Sequence, residues 1–245
     1  MKPLADVDKG ITVFIAGDST AANYAENRSP MAGWGQMLGS LFEPSVLVRN
    51  EARSGRSSKS FIEEGHIRRI EEAIGAGDYL LIQFGHNDQK SDAERHTEPD
   101  STYPDFLRRY VDLARSKGAH PVLLTSVDRR KFSAAGELVG THGQYPDAVR
   151  ALAAEQRVPL LDVQAVTQEA YRRMGPEASK AWFVWLAPGE HPNYPDGVQD
   201  DTHFNETGAL EVARLIAALM KEAGILLAHK FASGSGSGSA AAAAP

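Results

Sequence analysis

Cysteine is absent from the chain, which excludes disulfides, thiolate metal centres and a cysteine nucleophile together. Any covalent catalysis must therefore rest on oxygen or nitrogen groups. No apolar run approaches the roughly 20 residues that cross a bilayer, and the N-terminus lacks the charged-then-apolar pattern of a secretory leader. The expectation is a protein with no membrane partner and a cytoplasmic location, a secreted form whose leader has been removed being the alternative. An excess of basic residues is missing too. Lys and Arg number 26 against 32 Asp and Glu, a net charge of −6, which is the wrong sign for a general nucleic-acid binder. A His-Glu-x-x-His helix is absent and the histidines are scattered, so neither a metal nor another cofactor is expected. The Gly-x-Ser-x-Gly nucleophile elbow is missing as well, which argues against the larger class of serine hydrolases built around it.

What remains is a chain of 245 residues with 42% apolar content, enough for one substantial core. One domain is expected over residues 1–232. The Gly/Ser alternation and alanine run of residues 233–245 bury nothing and read as a flexible tail. Short β-branched or aromatic runs at Ile11 to Ala16, Val46 to Arg49, Tyr79 to Phe84, Pro121 to Thr125 and Pro159 to Leu161 read as strands. Amphipathic stretches between them, Trp34 to Phe42, Lys59 to Ile74, Tyr103 to Lys117, Gln144 to Gln156, Val163 to Met174 and Glu206 to Ala223, read as helices. This βαβα rhythm predicts an α/β fold, a parallel sheet with helices on both faces.

In open α/β sheets, ligands bind outside the carboxyl ends of the strands. The loops there carry Gly17-Asp18-Ser19-Thr20, then Asn50 through Ser58 with Gly55, then Gly85-His86-Asn87-Asp88. Two further segments, Ser126 to Gly143 and Trp182 to Thr202, are long enough to be walls or lids. Acyl transfer by serine needs a base, a carboxylate that fixes the base's tautomer, and donors aimed at the developing oxyanion. Ser19 after a buried strand supplies a hydroxyl and a backbone amide. Asp200 and His203, three residues apart, are expected to share one face of a turn or first helical turn, and this spacing favours Asp200 over Asp201. Gly55 can offer a second backbone donor and Asn87 a side-chain amide. Asp18 and Asp88 read as structural, and His86 is assigned no catalytic role.

These blocks, Gly17-Asp18-Ser19, Gly55, Gly85-His86-Asn87-Asp88 and Asp200-Asp201-Thr202-His203, resemble in residue and order those of the SGNH (GDSL-like) hydrolases. The extended Gly17-Asp18-Ser19-Thr20-Ala21-Ala22 and the following Gly33-Trp34-Gly35-Gln36 are similar to the rhamnogalacturonan acetylesterases within that superfamily. The resemblance implies a flavodoxin-like three-layer α/β/α sandwich with a central parallel sheet. It also implies a Ser19, Asp200, His203 triad, and an oxyanion hole of the Ser19 amide, Gly55 and Asn87. The implied activity is removal of acetyl groups from acetylated rhamnogalacturonan without a cofactor. Arg53, Arg56, Lys59, Arg129, Arg130, Trp182, Trp185, His191 and Tyr194 are the expected substrate-binding wall, a mixture suited to sugars and to galacturonate carboxylates. An acetylesterase of other carbohydrates such as acetylated xylan, a broad short-chain esterase, and a carbohydrate-binding protein without turnover are the alternatives. Oligomeric state leaves no mark in the sequence.

Overall fold

A computed structural model describes residues 10–232; the tail expected at 233–245 lies outside them. Five strands, β1 (Ile11–Gly17), β2 (Val46–Asn50), β3 (Tyr79–Gln83), β4 (His120–Leu124) and β5 (Leu160–Leu161), form a parallel sheet in the order β2-β1-β3-β4-β5. This is the flavodoxin-like order, and its reversal beside β1 puts the switch point where the Ser19 loop leaves the sheet.

Alternation along the strands feeds two separate cores. Val13, Ile15, Leu81, Val122 and Leu124 point to one side, where they meet α1 (Trp34–Leu38), α6 (Val163–Ala178) and α7 (Glu206–Glu222) through Trp34, Leu38, Tyr171, Val212 and Ile216. Phe14, Ala16, Leu80, Ile82 and Leu123 point to the other. There α2 (Ser58–Glu63), α3 (Arg68–Glu71), α4 (Thr102–Ser116) and α5 (Tyr145–Gln156) supply Phe61, Ile70, Tyr103, Tyr110 and Leu152. The expected three-layer arrangement is therefore present, with the central strands β1, β3 and β4 covered on both faces and the edge strand β2 packed through Val46 and Val48 on one, its Leu47 being exposed.

Two sequence expectations need correction. The helix read over Lys59 to Ile74 is broken into α2 and α3, because the chain turns through Gly65 at φ 78°. The segment from Trp182 to Thr202, read as one long loop, keeps a loop over 187–197 but has ends that form a two-stranded antiparallel ribbon of β6 (Phe183–Leu186) and β7 (Val198–Phe204) outside the main sheet. Phe183 pairs with Phe204, Trp185 with Gln199 and Leu186 with Val198, a short apolar pairing that the Pro- and Gly-rich connection over 187–197 concealed.

Candidate active site

The Gly33-Trp34-Gly35-Gln36 segment explains how the first loop is held. The Trp34 amide donates to the Thr20 carbonyl at 2.9 Å, and the Gln36 side chain accepts from the Tyr24 amide at 2.9 Å. Trp34 Nε1 also donates to Gln83 Oε1 at 2.5 Å, and Gln83 Nε2 reaches Thr20 Oγ1 at 3.0 Å. The first turn of α1 lies so close to this loop that a Cβ on Gly33 would stand 2.3 Å from the Ala22 carbonyl oxygen, and one on Gly35 would stand 2.6 Å from that of Ala21. Only glycine permits that approach.

Within the loop, Asp18 is fully buried and accepts from the Thr20 amide at 2.9 Å and the Thr20 hydroxyl at 2.8 Å. Burial pushes its carboxyl above the usual range against those hydrogen bonds. Ser19 is thereby presented at the carboxyl edge of the sheet with its carbonyl fixed by Tyr24 Oη at 2.8 Å.

His203 Nε2 lies 3.1 Å from Ser19 Oγ, and His203 Nδ1 lies 2.7 Å from Asp200 Oδ2. With Nδ1 donating its proton to the carboxylate, Nε2 is left as the acceptor for the serine hydroxyl. The other Asp200 oxygen accepts from the Thr202 amide at 2.8 Å and the His203 amide at 2.9 Å. Burial raises the Asp200 carboxyl, and the His203 ring with the two amides more than offsets it, so the group sits below the usual carboxylate range. The pair, expected on a turn or first helical turn, lies on a tight local turn of the backbone inside β7, not on a helix. Between the paired positions Trp185↔Gln199 and Phe183↔Phe204, the four residues Asp200 to His203 face Val184 alone. This wide bulge overrides the strand alternation that would otherwise send residues three apart to opposite faces.

Three donors converge on the same cleft of about 420 Å³, which Ser19, Gly55, Asn87 and His203 all line. Among the described residues, neither the Ser19 amide nor the Gly55 amide is taken by an acceptor. Asn87 Nδ2 donates one proton to the Arg56 carbonyl at 3.0 Å, leaving its second free. Gly55 owes its place to a φ of 78° rather than to crowding, since a Cβ there would meet nothing within 4 Å. Asp88 anchors the Asn87 loop: its side chain accepts from the Ser58 amide at 3.0 Å, the Ser58 hydroxyl at 2.5 Å and the Thr97 hydroxyl at 3.1 Å. Burial pushes its carboxyl up to about 7 against those bonds. His86 is buried beside them, its ring 4.3 Å from that of His142, and burial together with the charges of His142 and Arg129 holds it well below the usual imidazole range. It stays neutral.

Of the expected substrate wall, only Arg129 lines the cleft. Arg130 is buried and paired with Asp201 at 3.2 Å, and Trp185 Nε1 donates to the same carboxylate at 2.9 Å. Trp182 packs edge-on against Tyr171 in the core. Arg56 is committed to Glu64 at 2.8 Å, and Lys59 to the Ala93 carbonyl at 2.6 Å. His191 and Tyr194 belong to the ribbon's connecting loop, where Tyr194 Oη donates to the Arg28 carbonyl at 3.0 Å. Arg53 does not line the cleft either. The lining residues that sequence reasoning passed over are Tyr24, Arg28, Ser54, Lys90, Arg95 and Thr202. Lys90 and Arg95 sit in the long connection between β3 and α4, whose length was the available signal.

Comparisons with known proteins show the family. The model of the GDSL-like lipase/acylhydrolase family matches residues 15–210. The chain is 55% identical over 219 residues to the rhamnogalacturonan acetylesterase RhgT of Bacillus subtilis (strain 168), covering 89% of this chain and 93% of the relative. Among solved structures, the protein YxiM of Bacillus subtilis superposes with a TM-score of 0.75 at 28% identity, over 89% of this chain and 58% of that longer one. Axe2, an acetylxylan esterase from Geobacillus stearothermophilus, shares the fold with a TM-score of 0.61 at 20% identity, over 89% and 96% of the two chains. With a loop-borne serine, a bulge-borne histidine and three free donors on one cleft, and with most of its length matched, the chain belongs to the GDSL-like lipase/acylhydrolase family of ester hydrolases.

Proposed function

We propose that the protein is a serine acetylesterase that deacetylates an acidic carbohydrate, namely acetylated rhamnogalacturonan or its oligosaccharides. The observation that carries the reading is the unbroken hydrogen-bonded line from Asp200 through His203 to Ser19, facing a cleft with uncommitted donors. His203 takes the Ser19 proton as Oγ attacks the acetyl carbonyl. The oxyanion is received by the Ser19 and Gly55 amides and the Asn87 amide group. His203 then returns the proton to the departing sugar hydroxyl, and water, deprotonated by the same imidazole, releases acetate from the serine. Asp200, held ionised, stabilises the imidazolium in both steps.

The acidic nature of the substrate is supported by the wall. Arg28, Lys90, Arg95 and Arg129 line the cleft and no Asp or Glu does, although the chain as a whole is negative. Arg95 is neutralised by Asp92 at 2.6 Å. Among the described residues, Arg28, Lys90 and Arg129 have no carboxylate partner and can meet uronate groups. The similarity to RhgT supports the particular polymer. Acetate release from acetylated rhamnogalacturonan, compared with acetylated xylan and with nitrophenyl esters of increasing chain length, tests the assignment. Faster release from xylan, or faster cleavage of octanoate than of acetate, would sink it.

A further inference from the structure

We infer that Arg130 and Asp201 are positioning residues that hold the acid–base pair in register with the nucleophile, an inference that rests on the esterase reading above. A bulge of four residues facing one gives up the ladder hydrogen bonds that fix an ordinary strand. Asp200 satisfies the inner side of this bulge by gathering the Thr202 and His203 amides and the His203 ring. Apart from the His203–Ser19 contact that it is meant to position, that arrangement is internal to the bulge.

Asp201 ties the bulge to the rest of the molecule from the outer side. Its carbonyl accepts from the Arg130 amide at 2.8 Å, and its Oδ1 receives Arg130 Nη1 at 3.2 Å and Trp185 Nε1 at 2.9 Å. The backbone and side chain of one residue are thus both gripped by one partner. The Arg130 side chain is 7% exposed, with its guanidinium carbon 5.0 Å from the centre of the Trp185 ring and 5.8 Å from that of Phe132. Such packing fixes the guanidinium, while Asp201, 45% exposed, is held by its two hydrogen-bond donors and its backbone rather than by burial. Arg130 follows Arg129, which lines the cleft, so one short segment joins the cationic wall to the strand carrying the base. An error of about 1 Å in the position of a catalytic group costs on the order of 10²-fold in rate, and this grip is the device that prevents it.

The test is the kinetics of Arg130→Met, Arg130→Lys and Asp201→Asn on nitrophenyl acetate, at a temperature where circular dichroism shows each variant folded. The same proteins are followed by NMR of the hydrogen-bonded His203 Nδ1 proton. The expected result is a kcat lowered about 10- to 100-fold in Arg130→Met, with KM nearly unchanged, partial recovery in Arg130→Lys, and loss or broadening of the Nδ1 proton signal. Asp201→Asn keeps size and an acceptor for Trp185, so it remains informative if Arg130→Met does not fold. Folded variants with wild-type kcat and an unaltered Nδ1 signal overturn the inference. Absence of esterase activity in the wild type would instead defeat the underlying reading, and the NMR signal would still decide whether Arg130 holds His203 in place.

Discussion

His203 Nε2 stands 3.1 Å from Ser19 Oγ although 184 residues separate the two in the chain. A contact spanning most of the molecule, joined to Asp200 behind it, makes three separate losses interdependent. Ser19→Ala and His203→Ala should each lower kcat by about 10⁴-fold or more, and the double variant should be little worse than either alone. Covalent labelling by a fluorophosphonate should vanish in Ser19→Ala. Additive losses would show that the residues do not act as a unit.

Asn87 reaches the cleft with one amide proton while the other holds the Arg56 carbonyl. Asn87→Ala should reduce kcat by roughly 10²- to 10³-fold with a small change in KM, because the donor is needed when charge develops and much less before. Steady-state kinetics on nitrophenyl acetate measure this. A change confined to KM would assign Asn87 to ground-state binding.

The cationic wall should be felt only by charged substrates. Charge reversal of Lys90 or Arg129 to Glu is expected to raise KM for acetylated uronate oligosaccharides about tenfold and to leave hydrolysis of neutral nitrophenyl acetate within about twofold of wild type. Added salt should weaken the wild-type preference in the same direction. Equal effects on both substrates would remove the wall from substrate recognition.

Two buried carboxylates make opposing contributions to pH stability. Burial raises Asp128, but His142 at 2.6 Å, with Gln168 and Thr141, more than compensates and holds it at about 2, against an ordinary 3.8. Its contribution is fully present above about pH 4 and is lost as pH falls towards 2, an effect on the order of 2 kcal/mol. Asp88, raised from 3.8 to about 7, stabilises the fold when protonated. That contribution is lost as pH rises from about 4 through 7. Buried, neutral His86 opposes Asp88 over the same range, so each carboxylate is read against its own amide variant: the calorimetric melting point of wild type relative to Asp88→Asn should fall as pH rises from about 4 through 7, and relative to Asp128→Asn it should fall as pH drops from about 4 towards 2. A wild-type to Asp88→Asn difference that did not change between about pH 4 and 7 would contradict the burial argument for Asp88.

The parallel sheet was legible because its strands are continuous apolar runs, Tyr79 to Phe84 being buried on both faces, and because each is followed by a helix-period segment. Ser19, Gly55 and Asn87 could be read from the sequence for a related reason: the chain returns every active loop to the same sheet edge. The β6–β7 ribbon was not legible, since a four-against-one bulge has no sequence period and the strands are short and joined by a long connection rich in Pro and Gly. The wall was misjudged where charge was read without its partners. Arg130 and Arg56 look like free cations in sequence, yet the fold commits them to Asp201 and Glu64. Lys90 and Arg95 are brought to the cleft by a connection whose path no local pattern specifies.

The nucleophile grows from the five-stranded sheet while its base belongs to the separate β6–β7 ribbon. Function therefore depends on the contact between them, where Phe183 and Phe204 share one core with Val13 and Ile15 of the sheet. In a urea titration, esterase turnover should fade at a lower denaturant concentration than far-ultraviolet ellipticity, with the ribbon's amides exchanging hydrogen ahead of those in β1 and β3. That outcome would put the limit of the enzyme's working range at the seam between the two sheets, and make tightening the seam the direct route to a hardier catalyst.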